Sequence, residues 1–249
     1  MASQLKIALQ LWSIQEECAK DFPNTLRKVA EMGYEGVEFA GYYGMPAEEL
    51  KVLLDELKLE VAGSHIPYEK LKDNFEETLE YERIIGNSRL VIPYMQAETL
   101  EEWQAFFASL AEIQESIDPT EFKLLYHNHA HEFTTIEGVD IVSQMAQANP
   151  QLKLEVDTYW VSFAGLDTIS WLDTHAEQVE LLHIKEMHEI EGGFESTEVG
   201  SGILPIADYV AFAEAQQLEW LIIEQEAFQS LTPMESASEN YTNLKAILS

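Results

Sequence analysis

The chain has one cysteine, Cys18, so no intrachain disulfide can form, and it reads as a protein of a reducing cytoplasm. Basic residues are scarce. Fourteen Lys and Arg stand against 45 Asp and Glu, a formal net charge of −31 over 249 residues. A surface that acidic repels phosphate backbones and anionic lipid, which sets nucleic acid and membranes aside as partners. Long apolar runs are missing too. Nothing approaches the roughly 18 apolar residues that would span a bilayer, and Met1 to Lys6 lead into a run too short for a signal-peptide core. No Pro/Gly/Ser linker, low-complexity tract or internal sequence repeat divides the chain, so residues 1–249 are expected to form a single domain. A glycine-rich loop after the first apolar run is also lacking. Trp12-Ser13-Ile14-Gln15 stands there instead, which argues against an open dinucleotide-binding sheet.

What is present is a 46% hydrophobic share, enough for a sizeable core, arranged as short apolar runs that alternate with amphipathic stretches. Strands are expected at Leu5–Leu11, Gly36–Ala40, Leu59–Ser64, Arg89–Tyr94, Lys123–Asn128, Lys153–Thr158, Glu180–Lys185 and Trp220–Gln225. Helices are expected at Pro23–Met32, Pro46–Leu57, Leu71–Ile85, Leu100–Ile117, Gly138–Ala148, Asp167–Glu177, Pro205–Gln217 and Pro233–Leu248. The stripe Leu50, Leu53, Leu54 and Leu57 shows the 3.6-residue period of a helix packed on one face. The strands are near-continuous apolar runs, as in a parallel sheet covered on both sides. Eight strand–helix units predict an α/β protein, a single (β/α)8 TIM barrel.

In such a barrel the active site lies at the carboxyl ends of the strands. Five of the seven histidines fall there (His65, His127, His129, His131 and His183), together with Glu38, Glu132, Asp157, Glu224 and Glu226. Carboxylates from successive strands with one imidazole, and no thiolate set, suit Mn²⁺, Mg²⁺, Co²⁺ or Zn²⁺ with positions left open for substrate. Each residue also has a plainer reading. Asp157 could cap the following helix. His183 could be a satisfied core histidine. Glu38 and His65 could serve internal hydrogen bonds rather than substrate. Lys185 could neutralise carboxylates or bind a substrate oxygen. Trp12 and the other aromatics near the mouth could stack on a sugar face or pack in the core. Val199-Gly200-Ser201-Gly202 reads as a glycine turn rather than a phosphate cradle, because Glu189, Glu191, Glu195 and Glu198 precede it.

Taken in order, Tyr126-His127-Asn128-His129 with Glu132-Phe133, Glu155-Val156-Asp157-Thr158-Tyr159-Trp160, His183-Ile184-Lys185, Val199-Gly200-Ser201-Gly202 and Glu224-Gln225 resemble the sugar phosphate isomerase/epimerase family of xylose isomerase-like TIM barrels. The resemblance runs over most of the chain and is most specific in the motifs of the fifth and sixth strands. It implies one divalent metal ion held by Asp157, His183 and Glu224 with a fifth-strand ligand. Glu132 is the choice for that ligand, with His127 and His129 as alternatives. It further implies an enzyme of carbohydrate metabolism, a sugar isomerase or epimerase, with a keto-sugar dehydratase as a variant. Its substrate would be a ketose, keto-sugar or related polyol. The expected chemistry is proton abstraction next to a carbonyl through a metal-stabilised enediolate, with Glu132 and Glu224 as the proton-moving carboxylates. His65, Glu38, His129, Lys185 and Trp12 are the expected substrate contacts. A catalytically inactive sugar-binding barrel is the alternative, and an endonuclease IV-like DNA-repair nuclease a more distant one that the charge disfavours. Barrel-mouth loops leave room for a homo-oligomer.

Overall fold

The computed structural model describes residues 5–249; Met1–Gln4, where part of the reading of the amino terminus falls, lie outside the described residues. Eight parallel strands close into a barrel: β1 (Lys6–Gln10), β2 (Gly36–Phe39), β3 (Glu60–His65), β4 (Arg89–Ile92), β5 (Lys123–His127), β6 (Lys153–Asp157), β7 (Val179–Ile184) and β10 (Trp220–Ile223). Each strand pairs with its sequence neighbours, and β1 closes on β10. The fold is therefore one (β/α)8 barrel, and each expected strand lies within two residues of an observed one at either end. Between β7 and β10 the chain adds an antiparallel hairpin, β8 (Glu186–Ile190) and β9 (Gly193–Thr197). Of the glutamates that precede Val199, Glu189 and Glu195 lie in its strands and Glu191 at its turn. Glu191-Gly192-Gly193 at its tip is the local turn signal for it.

Period-two alternation along the strands builds two environments. Leu9, Val37, Val156, Leu182, Ile184, Leu221 and Ile223 pack outward against the helices. Ala8, Ala62, Val91, Leu125, Leu181, Trp220 and Ile222 fill the barrel interior as a separate apolar plug. Below that plug, Arg89 bonds Glu180 at 3.1 Å and Glu219 at 2.6 Å, and Lys123 bonds Glu180 at 2.6 Å, closing the amino-terminal end with ion pairs. Two residues beyond the plug, the same inward rows become polar: Ala8 is followed by Gln10, Leu125 by His127, Leu181 by His183 and Ile222 by Glu224. The fold thus places a polar layer on an apolar support at the carboxyl end.

The outer helices follow the apolar stripes. Gly33 and Gly86 end theirs in left-handed geometry. One expected helix is divided: Tyr68–Asp73 and Phe75–Ile85 are separated at Asn74. Two short helices at the mouth, His131–Thr134 and Thr158–Phe163, were not read from sequence. No described helix is long and apolar enough to cross a membrane.

Candidate metal centre and cavity

At the carboxyl end His127 of β5, Asp157 of β6, His183 of β7 and Glu224 after β10 come together, with one ligand atom of each within 4.8 Å of the others. The strand register does this directly, since Asp157 lies opposite His183 and Ile222 lies opposite His183 from the other side. Asp157 caps the following helix, one of the readings that the sequence left open, and its second oxygen faces the group. Its Oδ1 caps the Thr158–Phe163 helix, accepting from the backbone N–H groups of Tyr159 at 2.9 Å and Trp160 at 3.2 Å. Its Oδ2 is buried, makes no aligned hydrogen bond and lies 3.0 Å from the Lys185 ammonium. Two imidazoles and two buried carboxylates converging in this way are a donor set that suits a divalent cation. The residues therefore fit the ion that the sequence implied.

Glu132 is not part of this group. The chain after β5 turns at once into the short helix, and the Glu132 carboxylate folds back onto its own loop. It accepts from the Tyr126 hydroxyl at 2.8 Å and from the His129 backbone N–H at 2.8 Å. His129, His131 and Glu132 form a group of their own, and the fifth-strand place beside Asp157, His183 and Glu224 is taken by His127. Burial pushes the Glu132 carboxyl up to about 8.

A second layer backs the first. His65, His127, Glu155 and His183 also lie within ligand distance of one another. His183 is shared. Its Nδ1 faces Glu224 at 3.2 Å, and its Nε2 faces Glu38 at 2.7 Å. Glu38, fully buried, is held in turn by the side-chain amide of Gln10 at 2.7 Å. A carboxylate on the far nitrogen of a ligating histidine fixes the ring orientation and strengthens the donor. Burial, then the neighbouring Glu155, pushes Glu38 up to about 7. For His183 burial opposes the charge, but Glu155 and Glu38 overcome it and hold the imidazole well above its usual range. Glu155 belongs to the sixth-strand motif but not to the site residues expected from the sequence. A glutamate between Leu154 and Val156 in a buried strand was the available signal.

Lys185 is completely buried, with its Nζ 3.0 Å from Asp157, 2.9 Å from Glu224 and 3.4 Å from Glu226. Its ammonium also lies over the rings of Tyr159 and Trp160. Burial works against the charge, yet Asp157 and Glu224 keep the lysine above its ordinary value. The four carboxylates Glu38, Glu155, Asp157 and Glu224 are thus buried against this ammonium and three imidazoles. The Lys185 ammonium and the charge held on His183 offset part of that negative charge.

The layer opens onto a cavity of about 1010 Å³. His65, His127, His129, Glu224, Glu226 and Trp12 line it, whereas Glu38 and Lys185 lie behind its wall. Of the expected substrate contacts, His65, His129 and Trp12 therefore face the open space, and Glu38 and Lys185 support it from behind. The Val199–Gly202 turn holds no open anion cradle. Glu186 fills it, accepting from the backbone N–H groups of Met187, Gly200 and Leu204 at 2.9, 3.2 and 2.9 Å.

With this geometry in view, a profile of the xylose isomerase-like TIM barrel family matches residues 26–247. The chain belongs to that family. A curated relative, the inosose dehydratase of Geobacillus kaustophilus strain HTA426, is 23% identical over 66% of this chain and 62% of its own length. This chain thus spans less than two thirds of that relative. Among solved structures, a sugar phosphate isomerase/epimerase from Parabacteroides distasonis ATCC 8503 superposes with a TM-score of 0.82, at 20% identity, covering 99% of this chain and 96% of that one. An IOLI protein solved with a zinc atom bound superposes at 0.78, with 12% identity and 98% of both chains covered. At these identities the structural likenesses establish the shared fold.

Proposed function

We propose that this protein is a divalent-metal-dependent sugar isomerase or epimerase acting on a ketose, keto-sugar or related polyol. The observation that carries the reading is the convergence of His127, Asp157, His183 and Glu224 at the carboxyl end of the barrel, with His127 and Glu224 on the wall of the cavity. A divalent ion bound there supplies positive charge to offset the charge that develops on the substrate oxygens. The zinc-bound structural neighbour and the isomerase/epimerase neighbour agree with that assignment.

The chain's own residues do the rest. Glu224 stands at the cavity wall beside the Lys185 ammonium, which with His183 keeps its carboxyl well below the usual range against the effect of burial. It is the ionised base that removes a proton from carbon next to the carbonyl. Glu226 lines the same space, and burial raises its carboxyl. Its place on the wall beside Glu224 suits it to return the proton. Two neighbouring carboxyls displaced in opposite directions are the pattern of an acid–base pair. His65 and His129 bind hydroxyls from the wall, and Trp12 covers one face of the ring. Glu132 holds the loop that bears His129.

The inosose dehydratase relative favours a second reading, in which the same proton removal is followed by loss of a hydroxyl from the adjacent carbon. Incubation of the metal-loaded protein with a ketose panel in D₂O separates the two. Isomerisation or epimerisation gives deuterium at carbon with the sugar's mass otherwise unchanged, and dehydration gives loss of water. Glu224→Gln is expected to lower exchange by at least about a hundredfold, the usual scale of a lost general base. Undiminished exchange in that variant would remove Glu224 from proton transfer.

A further inference from the structure

The cavity is larger than the proposed substrate. About 1010 Å³ stands at the top of the roughly 300–1,000 Å³ range that encloses a drug-sized molecule, and a lone hexose falls well short of that size. The surplus lies away from His127 and Glu224, between the segments after β2 and β3. Tyr42, Tyr43 and Met45 contribute from the first, and Ile66, Lys70 and Asn74 from the second. Three aromatics at the cavity remain open to solvent in a way that core packing does not explain: Trp12 at 47%, Tyr43 at 39% and Tyr94 at 48% exposed. Tyr43 is also held in the left-handed region, φ +53°, between Gly41 and Gly44, both at positive φ. A bulky residue there costs on the order of 1 kcal/mol or more, and such strain collects where side chains are held for ligands. The Tyr43 ring leans on Phe22 at 4.9 Å between centroids, which fixes its direction.

We infer that this wing is a second subsite, built for a neutral sugar ring glycosidically joined to the ring that reacts at the metal group. The inference rests on the function proposed above and extends it to the substrate class. Flat aromatic faces stack on the apolar faces of a pyranose, while Lys70, Asn74 and Thr78 on the same wall offer donors and acceptors to its hydroxyls. Glu77 and Glu82 on that wall, and a chain charge of −31, oppose an anionic substituent such as a phosphate. The polar side chains among the aromatics favour a hydroxylated ring over a purely apolar one.

Calorimetric titration of the metal-loaded protein tests this by binding rather than turnover. Maltose, lactose and sucrose are compared with glucose, galactose and fructose, with 4-nitrophenyl glucoside and glucose 6-phosphate as further arms. At least one disaccharide is expected to bind tenfold or more tightly than its constituents. Tyr43→Gly, which relieves the backbone, and Lys70→Ala, at an exposed site, should each remove most of that gain and leave monosaccharide affinity within twofold. Monosaccharide binding with no gain for any disaccharide would overturn the subsite and leave the proposed function standing. A gain confined to the nitrophenyl glycoside or to the phosphate would overturn the glycosyl occupant. No binding of any sugar would overturn the inference together with the function on which it rests.

Discussion

Glu132 shows how one side chain's surroundings set its part. Its oxygens accept from Tyr126 and from the His129 backbone, yet burial dominates and lifts the carboxyl from an ordinary 4.5 to about 8. The folded chain therefore keeps a proton that the unfolded chain has lost. Between about pH 4.5 and pH 8 the unfolded state gains by ionising, so this group makes stability fall as pH rises through that window and level off outside it. The expected size is on the order of a few kcal/mol. Urea unfolding of the wild type and Glu132→Gln at about pH 5 and about pH 8.5 measures it. The wild type should lose more stability than the variant over that interval. Equal losses would mean that Glu132 is already ionised in the folded protein.

At the scale of elements, the strand β3 and its neighbour β2 meet where a side chain would have to displace Glu38. The register slips between Val37 and Glu38, and a Cβ at Gly63 would lie 2.7 Å from Glu38 Oε1. The obstruction is the end of a flexible side chain, so Gly63→Ala should fold. It should also displace Glu38 from His183, and loss of such a supporting carboxylate lowers metal affinity by roughly 10–100-fold. A Co²⁺ competition titration would show it, and unchanged affinity would mean that Glu38 does not orient His183. The alternating strands and helices were legible in the sequence because each strand is a buried apolar run and each helix an apolar stripe. The polar ends of those runs were legible for the same reason: Asp157, His183 and Glu224 interrupt apolar sequence at one end only. Glu132 and His127 could not be separated that way. His127 ends the strand and Glu132 follows it, and which one faces the axis depends on where the strand stops and the chain turns. The β8–β9 hairpin was obscured by its acidic composition, and the break at Asn74 by apolar spacing that continues through it.

The molecule as a whole joins an acidic exterior, net −31, to a buried layer in which carboxylates outnumber fixed positive charges. The barrel supplies the rigidity for that layer: an apolar plug beneath it and ion pairs closing the far end. The candidate site draws its residues from four different strands or strand ends, so the proposed metal binding requires the closed barrel. Elemental analysis of protein purified without chelator, for the wild type and for Asp157→Ala combined with His183→Ala, tests this account most directly. About one divalent ion per wild-type chain, lost in the folded double variant, is the predicted result. A wild-type protein that holds no ion even after addition of Mn²⁺ or Co²⁺, or a double variant that retains it, would contradict the assignment of the centre.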